Sequence, residues 1–382
     1  MDFELTPEQR DIRELVRDFA REVVAPAAPD LDREHRFPTE IVRQMGELGL
    51  FGLGFPESDG GSGGDFLSLC IAIEEISRGD AGVGITLEAA TGLGITPIYQ
   101  YGSAEQRARW LPDLFAGRAL WAFGLTEPAS GSNARATQTR AALDGEEWVI
   151  NGSKQFITNS GTEITAGVTV TALTAEREIS TFLVPSGTPG LHVEPAYRKL
   201  GWHSSDTHPL TFADCRIPED AILGRRGEGY RQMIETLIAG RVAIAALSVG
   251  LAQACLDAAL SHARERQAFG RPISAFQAIQ FKLADMATEI ELARLGVYRA
   301  AAMYDHTREA TPEFNRWASM VKLFASETSK RAADQALQIH GGYGFIEDYP
   351  VARYWRDVKI NEIGEGTSEV QRILIARELL RD

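Results

Sequence analysis

The chain has 382 residues, 44% hydrophobic and 24% charged, which is the composition of a globular protein with room for two or three domains. Its 53 acidic and 39 basic residues give a net charge of −14, which argues against a general binder of nucleic acids or anionic membranes. The three cysteines are scattered, and the acidic start lacks a signal-peptide core. No apolar run approaches membrane-spanning length, so we expect a cytoplasmic protein without membrane insertion.

Residues 1–118 are predicted to form an N-terminal α-helical domain. A capping box over residues 6–9, with proline at the first helical position, precedes an apolar stripe of helical spacing. A second capping box, over residues 103–106, precedes another such stripe. The glycine-rich segment 59–64 lies between them and is predicted to be a flexible loop.

Residues 119–225 are predicted to form a middle domain of antiparallel β-strands. Asp-Gly at 144–145 and Asn-Gly at 151–152 are typical of β-hairpin turns, and β-rich runs follow at 167–173 and 180–184. Prolines punctuate the rest of the region. Because strands do not alternate with helices, a βαβ series is not indicated.

Two segments of this middle region are suited to holding a planar ligand. Segment 123–133 is rich in glycines and hydroxyl-bearing residues, which present backbone N–H groups to phosphates or carbonyls. Phe156 and Thr158 lie two residues apart, so on a strand they point to one face and can stack on a ring and hydrogen-bond to it. Taken singly, each segment is more typical of ordinary loop or strand packing.

Residues 226–382 are predicted to form a C-terminal four-helix bundle. Apolar residues from Phe276 to Val297 alternate spacings of three and four without a break, which is typical of a bundle seam. The predicted fold is therefore a multidomain α+β protein, in which a helical domain, an antiparallel β domain and a helical bundle follow one another.

The Gly-Glu-Gly-Thr tetrad at 364–367 is the most informative local pattern. Ser368 and Gln371 fit a capping box, which predicts a helix over 369–380 directly after the tetrad. Glu365 lies between two glycines beside this helix start, and a carboxylate held there can act as a general base if its surroundings exclude water. The alternative for the tetrad alone is a solvated loop glutamate.

Several other kinds of site lack support in the sequence. Segment 60–64 formally matches a hydrolase nucleophile elbow around Ser62, but turn residues rather than a strand precede it. No glycine-rich dinucleotide fingerprint lies in a βαβ unit, and no phosphate-binding P-loop occurs. The seven histidines lack metal-ligand spacing, so no metal site is predicted, and His340 before two glycines is typical of a helix end.

Read together, five motifs in order make the chain resemble the acyl-CoA dehydrogenase family over nearly its whole length. They are Leu125-Thr126-Glu127-Pro128 with Ser130-Gly131-Ser132, Arg266-Gln267-Ala268-Phe269-Gly270 followed by Phe276-Gln277, Gln338-Ile339-His340-Gly341-Gly342-Tyr343-Gly344, Arg356-Asp357, and Gly364-Glu365-Gly366-Thr367-Ser368-Glu369-Val370-Gln371-Arg372. The resemblance implies an enzyme with FAD bound between subunits of an obligate homo-oligomer, most often a tetramer built as a dimer of dimers.

The resemblance also implies a reaction. Glu365 would be the catalytic base that removes the α-proton of an acyl-CoA thioester, while the β-hydrogen leaves as hydride to flavin N5 and the trans-2-enoyl-CoA forms. The Glu365 backbone N–H and a ribityl hydroxyl of FAD would hold the thioester oxygen, and an electron-transfer flavoprotein would accept the electrons. Some relatives place the base one residue before an arginine, which here is Gly240 before Arg241, so Glu365 has no competitor.

The implied contacts of the flavin form three sets along the chain. They are Phe123, Leu125, Thr126, Gly131, Ser132, Phe156, Ile157 and Thr158 in the middle region, then Arg266, Phe269, Phe276, Gln277, Gln338, Ile339, His340, Gly341 and Gly342 toward the flavin of the partner subunit, and Thr367 and Glu369 beside the base. Phe156 would take the place of a tryptophan common in the family. Ser132, Arg241 and Gly366 are implied to lie at the substrate, with Arg241 in a supporting role or a structural ion pair.

Two departures from the family pattern concern the acyl group. Gly364 stands where many members carry a tyrosine, which predicts a wider pocket for branched or cyclic acyl groups. Glu88 lies near the expected pocket floor, and the favoured interpretation is a surface charge on a helix rather than a pocket wall. Chain length and the choice between CoA and acyl carrier protein stay open, and an oxygen-using flavoenzyme such as an acyl-CoA oxidase, or a non-catalytic helical scaffold, are the alternatives.

Overall fold

The helical N-terminal region begins where its capping box predicts. In the computed structural model, which describes residues 4–381, the Thr6 hydroxyl accepts the N–H of Gln9 and the Gln9 side chain accepts the N–H of Thr6. Ser103 and Gln106 form the second predicted capping box in the same way. The helices of this region are α1 (Pro7–Phe19), α2 (Ala25–Glu34), α3 (Thr39–Glu47), α4 (Phe66–Gly79), α5 (Ala81–Glu88), α6 (Thr96–Tyr101) and α7 (Ala104–Phe115).

The middle region forms one seven-stranded sheet of mixed direction. Its strands are β1 (Leu120–Gly124), β2 (Arg140–Asp144), β3 (Glu147–Thr158), β4 (Thr165–Ala175), β5 (Glu178–Pro185), β6 (Leu191–Val193) and β7 (Thr207–Pro218). The order is β1-β4-β2-β3-β7-β6, with β5 also paired to β4. The antiparallel prediction holds for β2–β3, β3–β7, β4–β5 and β6–β7, whereas β1 and β2 both pair with β4 in parallel.

One of the two predicted hairpin turns is wrong. Asp144 and Gly145 do connect β2 to β3, and Gly145 has the left-handed φ of 67° that favours glycine. Asn151 and Gly152 instead lie inside β3, at a point where its register with β7 shifts between Ile150 and Gly152. This irregularity explains why a glycine with a local turn signal is compatible with a continuous strand.

The C-terminal region is a bundle of long helices that packs against the N-terminal region. Its elements are α8 (Gly229–Glu265), the two-stranded hairpin of β8 (Gln267–Ala268) and β9 (Arg271–Pro272), α9 (Gln277–Thr307), α10 (Pro312–His340), α11 (Pro350–Asp357) and α12 (Ser368–Leu379). Helix α10 packs against α8, α9 and α12, and α4 joins the bundle by packing against α8 and α9. The predicted seam is buried at Met286, Ile290, Ala293 and Val297. The predicted fold class is confirmed.

Two helical stretches correct the expectation that no apolar segment approaches membrane-spanning length. Residues Ala81–Tyr101, which join α5 to α6 through the π-helical segment Ala89–Ile95, and helix α8 are long and apolar enough by length and composition. In each, 83% of the most apolar window is buried inside the protein. Their apolar character is therefore accounted for by packing in the protein core.

A buried ion pair joins the middle sheet to the loop after β1. The Lys154 side chain on β3 is 0% exposed, and its Nζ lies 2.7 Å from Glu127 Oε1 and 3.0 Å from Thr171 Oγ1. The Glu127 carboxylate also accepts the backbone N–H of Gln138 at 2.6 Å. Burial lowers the pKa of Lys154 to about 8, against the opposing effect of Glu127.

We expect Lys154→Met to destabilise the protein by about 3–5 kcal/mol, because the variant leaves the Glu127 carboxylate buried without its cation. The measurement is the shift of the thermal unfolding midpoint of the protein. The double variant Lys154→Met, Glu127→Gln removes both charges and is expected to recover most of the loss. A single variant that unfolds at the wild-type temperature would show that the pair contributes little.

Candidate active site

Glu365 lies in the connection between α11 and α12, on a backbone held in an unusual conformation. Its φ is 53°, in the left-handed region, and that of Gly366 is 94°. Lys322 Nζ from α10 donates to the Gly366 carbonyl at 2.8 Å, and the Gln371 side chain donates to the Glu365 and Gly366 carbonyls at 3.1 and 3.0 Å. Helices α10 and α12 therefore hold the peptide that follows the candidate base.

The predicted capping box at Ser368 and Gln371 is wrong by one residue. Thr367 is the N-cap of α12, because its Oγ1 accepts the N–H of Val370 at 3.3 Å, and the helix begins at Ser368 rather than at 369. Gln371 serves the loop carbonyls instead of the cap. The hydroxyl that caps the helix thus belongs to the tetrad itself, which ties the backbone of Glu365 to the helix start.

The Glu365 carboxylate is enclosed although its residue as a whole is partly exposed. Both side-chain oxygens are buried and have no hydrogen-bond partner among residues 4–381. They face Gly240 on α8, where an added Cβ would lie 2.6 Å from Oε2 and 3.0 Å from Oε1. The absence of a side chain at Gly240 is therefore what gives the carboxylate its space.

Glu88 corrects the expectation of a surface charge. Its side chain is 0% exposed, and every residue of α5 is buried, so this short helix has no solvent face. The Glu88 carboxyl group lies within hydrogen-bonding reach of the Glu365 carboxyl group. Two ionised carboxylates have no proton with which to bond, so both Glu88 oxygens lack a donor unless one group of the pair is protonated.

The two carboxyl groups differ in how strongly they hold a proton. Burial raises the pKa of Glu365, and a hydrogen bond from Glu88 and the charges of Lys322 and Arg241 oppose that rise. Burial raises the pKa of Glu88 well above its usual range, and the nearby Glu365 raises it further. Glu365 is thus the group that ionises first, which suits it to act as a base.

Two cations lie near the pair but are occupied by other partners. Arg241 on α8 donates to Asn315 Oδ1 at 2.7 Å and to Ser319 Oγ at 3.4 Å, and burial lowers its pKa to about 10. Lys322 is bound to the Gly366 carbonyl, and burial lowers its pKa to about 8. Arg241 therefore lies near the carboxyl pair, and its supporting role and its contact with substrate stay predictions.

The two segments of the middle region that sequence singled out lie side by side. The Gln155 N–H on β3 donates to the Thr126 carbonyl at 2.8 Å, which joins β3 to the end of β1, where Phe123 and Leu125 are partly exposed. Phe156 is 62% exposed, with a φ of 62°, and its ring centre lies 5.2 Å from that of Tyr197. An exposed aromatic ring in this setting fits a planar ligand.

Ile157 stays a predicted flavin contact, although its side chain is not available to a ligand. Its side chain is buried in the core of the β domain, on the face opposite the exposed Phe156 and the partly exposed Thr158. Only its backbone can reach a ligand on the Phe156 side. Gly131 and Ser132 are exposed on the neighbouring loop, and an added Cβ at Gly131 would meet nothing within 4 Å, so the backbone there is open to a ligand.

Five residues of the second predicted set line a cavity of about 450 Å³ at the end of the bundle. An added Cβ at Gly341 or Gly342 would meet nothing within 4 Å, so their backbone is also open to a ligand. The Arg266 guanidinium lies 5.3 Å from the Tyr343 ring centre. The cavity is lined by His262, Arg266, Ile273, Ile339, His340, Gly341, Gly342, Tyr343 and Ile346.

Sequence reasoning missed His262 and Tyr343 in this cavity. His262 stacks on His340 with ring centres 4.1 Å apart, but it comes from α8, so only the packing of α8 on α10 brings the rings together. Tyr343 lies inside the motif 338–344, and its place in that motif could have identified it as a cavity residue. The stacked rings suit an adenine ring, and the open glycine N–H groups and the guanidinium can donate to phosphate, so the residues present fit FAD.

The remaining predicted contacts lie at the edges of this surface and of the base loop. Phe269 is 95% exposed beside the β8–β9 hairpin, and its ring centre lies 6.1 Å from that of Phe276 at the start of α9. Gln277, Gln338 and Glu369 are exposed, and Thr367 is partly exposed. Ser62 is no nucleophile elbow, because its Oγ donates to the Gly49 carbonyl in a loop. Within residues 4–381, no cluster of potential metal ligands is found.

Family models match three consecutive parts of the chain. They are the acyl-CoA dehydrogenase N-terminal domain over residues 6–118, the middle domain over 122–215 and the C-terminal domain over 227–380. A probable acyl-CoA dehydrogenase of Bacillus subtilis, YngJ, is 50% identical over 100% of both chains. The mitochondrial short-chain specific acyl-CoA dehydrogenase of Rattus norvegicus is 44% identical over 99% of this chain and 91% of its own.

Solved structures agree with this similarity. Butyryl-CoA dehydrogenase of Megasphaera elsdenii has a TM-score of 0.96, with 40% identity and 100% of both chains covered. A chain in a structure of the electron transferring flavoprotein of Acidaminococcus fermentans has a TM-score of 0.96, 43% identity and the same coverage. An acyl-CoA dehydrogenase of Bacillus anthracis complexed with FAD has a TM-score of 0.93 and 33% identity, over 99% of this chain and 68% of that one.

Proposed function

This chain belongs to the acyl-CoA dehydrogenase family, and we propose that it oxidises a short acyl-CoA thioester to the trans-2-enoyl-CoA, with Glu365 as the base. It is an acyl-CoA dehydrogenase and uses FAD, as the family does. Similarity to a short-chain specific relative and to butyryl-CoA dehydrogenase supports the short acyl chain. The observation that carries the proposal is the enclosed Glu365 carboxylate, which has no bonding partner among residues 4–381 and faces Gly240.

Each part of the proposed reaction has a group to perform it. FAD, when bound, accepts the hydride that leaves the β-carbon of the acyl group. The Glu365 carboxylate takes the proton from the α-carbon, and its enclosure keeps water from competing for that carboxylate. Lys322 and Gln371 hold the peptide after the base, so the carboxylate approaches the thioester from a fixed backbone.

The backbone of Glu365 also supports activation of the thioester. Among the described residues, no hydrogen bond from the Glu365 N–H to a protein acceptor is found. A free N–H beside the base can donate to the thioester oxygen, where negative charge builds up as the α-proton leaves. One residue therefore supplies both the base and a donor for the developing oxyanion.

We propose a homotetramer that works in the cytoplasm and passes its electrons to an electron-transfer flavoprotein. Large apolar side chains are exposed on the single chain, among them Phe269, Phe281 and Phe345. A subunit interface that covers them would remove this apolar surface from water. The surface around Gly341 would then meet the adenosine end of a flavin held mainly by the partner subunit. The similarity to a chain in an electron transferring flavoprotein structure supports the acceptor.

The proposed function predicts a selective anaerobic reaction. Butyryl-CoA and hexanoyl-CoA are expected to bleach the bound flavin at least about tenfold faster than palmitoyl-CoA, a difference typical of poor pocket fit. The measurement is stopped-flow absorbance without oxygen, across straight, branched, aromatic and dicarboxylic thioesters. If no saturated acyl-CoA bleaches the flavin, the proposed reaction is wrong. If turnover in air releases peroxide as fast as the enzyme reduces an electron-accepting dye, the oxygen-using alternative is favoured.

A further inference from the structure

We propose that Glu88 is a positioning residue of this active site, which holds a proton between its own carboxyl group and that of Glu365 before substrate binds. Glu88 is the donor and Glu365 the ionised acceptor in this carboxyl pair. The inference rests on the proposed function of Glu365 as the base. It concerns a residue outside the sequence motifs, on a helix that precedes the base by more than half of the chain.

The inference rests on the burial of the Glu88 and Glu365 carboxyl groups and on their lack of other hydrogen-bond partners. All four oxygens of Glu88 and Glu365 are buried, and apart from these two carboxyl groups the described residues supply no hydrogen-bond donor to any of them. Two unpaired anions in contact inside a dry site would each lose hydration and repel each other. One shared proton removes a charge and gives each carboxyl group a hydrogen bond, so it is the arrangement that satisfies both.

The surrounding charges decide which carboxyl group keeps the proton. The titratable groups that face the pair are Arg241 from α8, Lys322 from α10 and Cys70 from α4. Arg241 and Lys322 stabilise the ionised form of Glu365, whereas the negative charge of Glu365 disfavours ionisation of Glu88. The proton therefore stays on Glu88, and Glu365 is the anion.

The consequence is a buried base that stays ionised near neutral pH. Enclosure alone would push Glu365 toward its protonated form, which cannot remove an α-proton. A hydrogen bond from Glu88 offsets part of that effect and also orients the carboxylate. When Glu365 turns toward the thioester, this hydrogen bond is exchanged for the contact with substrate. The proton on Glu88 is not consumed, so Glu88 is not itself the acid or base of the reaction.

Two substitutions at one position separate the parts of this proposal. Glu88→Gln keeps an N–H donor for Glu365 but cannot ionise, whereas Glu88→Ala removes the donor. Because the rate rises with pH as Glu365 loses its proton, we expect Glu88→Gln to retain the acid limb of the kcat/KM profile. Glu88→Ala is expected to move that limb to higher pH. At pH values below the wild-type limb, kcat/KM is expected to be at least tenfold lower than in the wild type, and it is expected to recover as the pH is raised.

A second measurement reads the proton directly in the substrate-free holoenzyme. Infrared difference spectra between neutral and alkaline pH are expected to contain a protonated carboxyl signal in the wild type that is absent in Glu88→Gln, in addition to the signal of the buried Asp357, whose pKa is raised to about 7 in both proteins. Persistence of that signal in Glu88→Gln, or a pH-independent loss in Glu88→Ala, would overturn the proposal. This measurement needs no substrate, so it tests the shared proton even if the acyl-CoA reaction were disproved. Activity in a Glu365→Gln variant would instead contradict the proposed function.

Discussion

We expect Glu365→Gln to slow the reduction of the flavin by acyl-CoA severely while FAD stays bound. Glutamine has nearly the same shape as glutamate, so it can occupy the space beside Gly240, but its amide cannot accept the α-proton. We expect the rate of flavin reduction to fall by roughly 10⁴-fold, the upper end of what a general base contributes. Stopped-flow absorbance under anaerobic conditions measures the rate, and the visible spectrum measures the bound FAD.

A matched control for this variant lies three residues earlier. Glu362→Gln makes the same chemical change in a carboxylate that pairs with Lys359 at 2.6 Å rather than facing Gly240. This variant is expected to reduce its flavin at close to the wild-type rate. The assignment of the base is wrong if Glu365→Gln also does so. Loss of FAD from Glu365→Gln would point to a role of this side chain in holding the cofactor.

Gly240→Ala is expected to lower kcat/KM by about 10²-fold, the usual effect of a displacement near one ångström at a reacting group. The added Cβ would lie 2.6 Å from Glu365 Oε2, which is too close for any real contact. Because the obstructed atom is the end of a flexible side chain, the base moves and helix α8 does not. Alanine also favours a helix interior over glycine by about 1 kcal/mol, so the thermal midpoint is expected to stay level or rise.

Gly250→Ala makes the same substitution further along α8 and provides the contrast. There the added Cβ would clash with the backbone oxygen of Glu74, which cannot move without a shift of its helix. Gly250→Ala is therefore expected to lower the thermal midpoint, whereas Gly240→Ala is expected to lower activity. Equal loss of stability in both variants would mean that Gly240 serves helix packing rather than the base. FAD content is checked in each case.

In the candidate site, the backbone around Glu365 is held by hydrogen bonds, whereas the Glu365 carboxylate is not. Lys322 and Gln371 bind the carbonyl of Gly366, while the Glu365 oxygens bind no donor among residues 4–381. A carboxylate that was already satisfied by protein donors would be a weaker base, because hydrogen bonds to the charged form lower its pKa. In the proposed carboxyl pair, the one hydrogen bond to the Glu365 carboxylate comes from protonated Glu88.

Where local sequence chemistry specified an element, the structure agrees. The capping boxes at Thr6 and Ser103 begin helices, because the side-chain and backbone groups that bond are neighbours in the chain. Asp144 and Gly145 make the turn between β2 and β3 for a similar reason. At Gly152 the same kind of signal fails, since pairing of β3 with β7 continues the strand through it.

The sequence by itself determined the family, the order of three domains, the cofactor and the position of the candidate base, because these depend on short motifs in order. Only the tertiary structure decided that Glu88 is buried against Glu365, that Ile157 faces the core and that His262 lines the cavity at the end of the bundle. Those facts depend on which helices and strands pack together. Whether a carboxylate lies in water or beside another carboxylate is set by residues distant in the chain, so spacing along the sequence does not encode it.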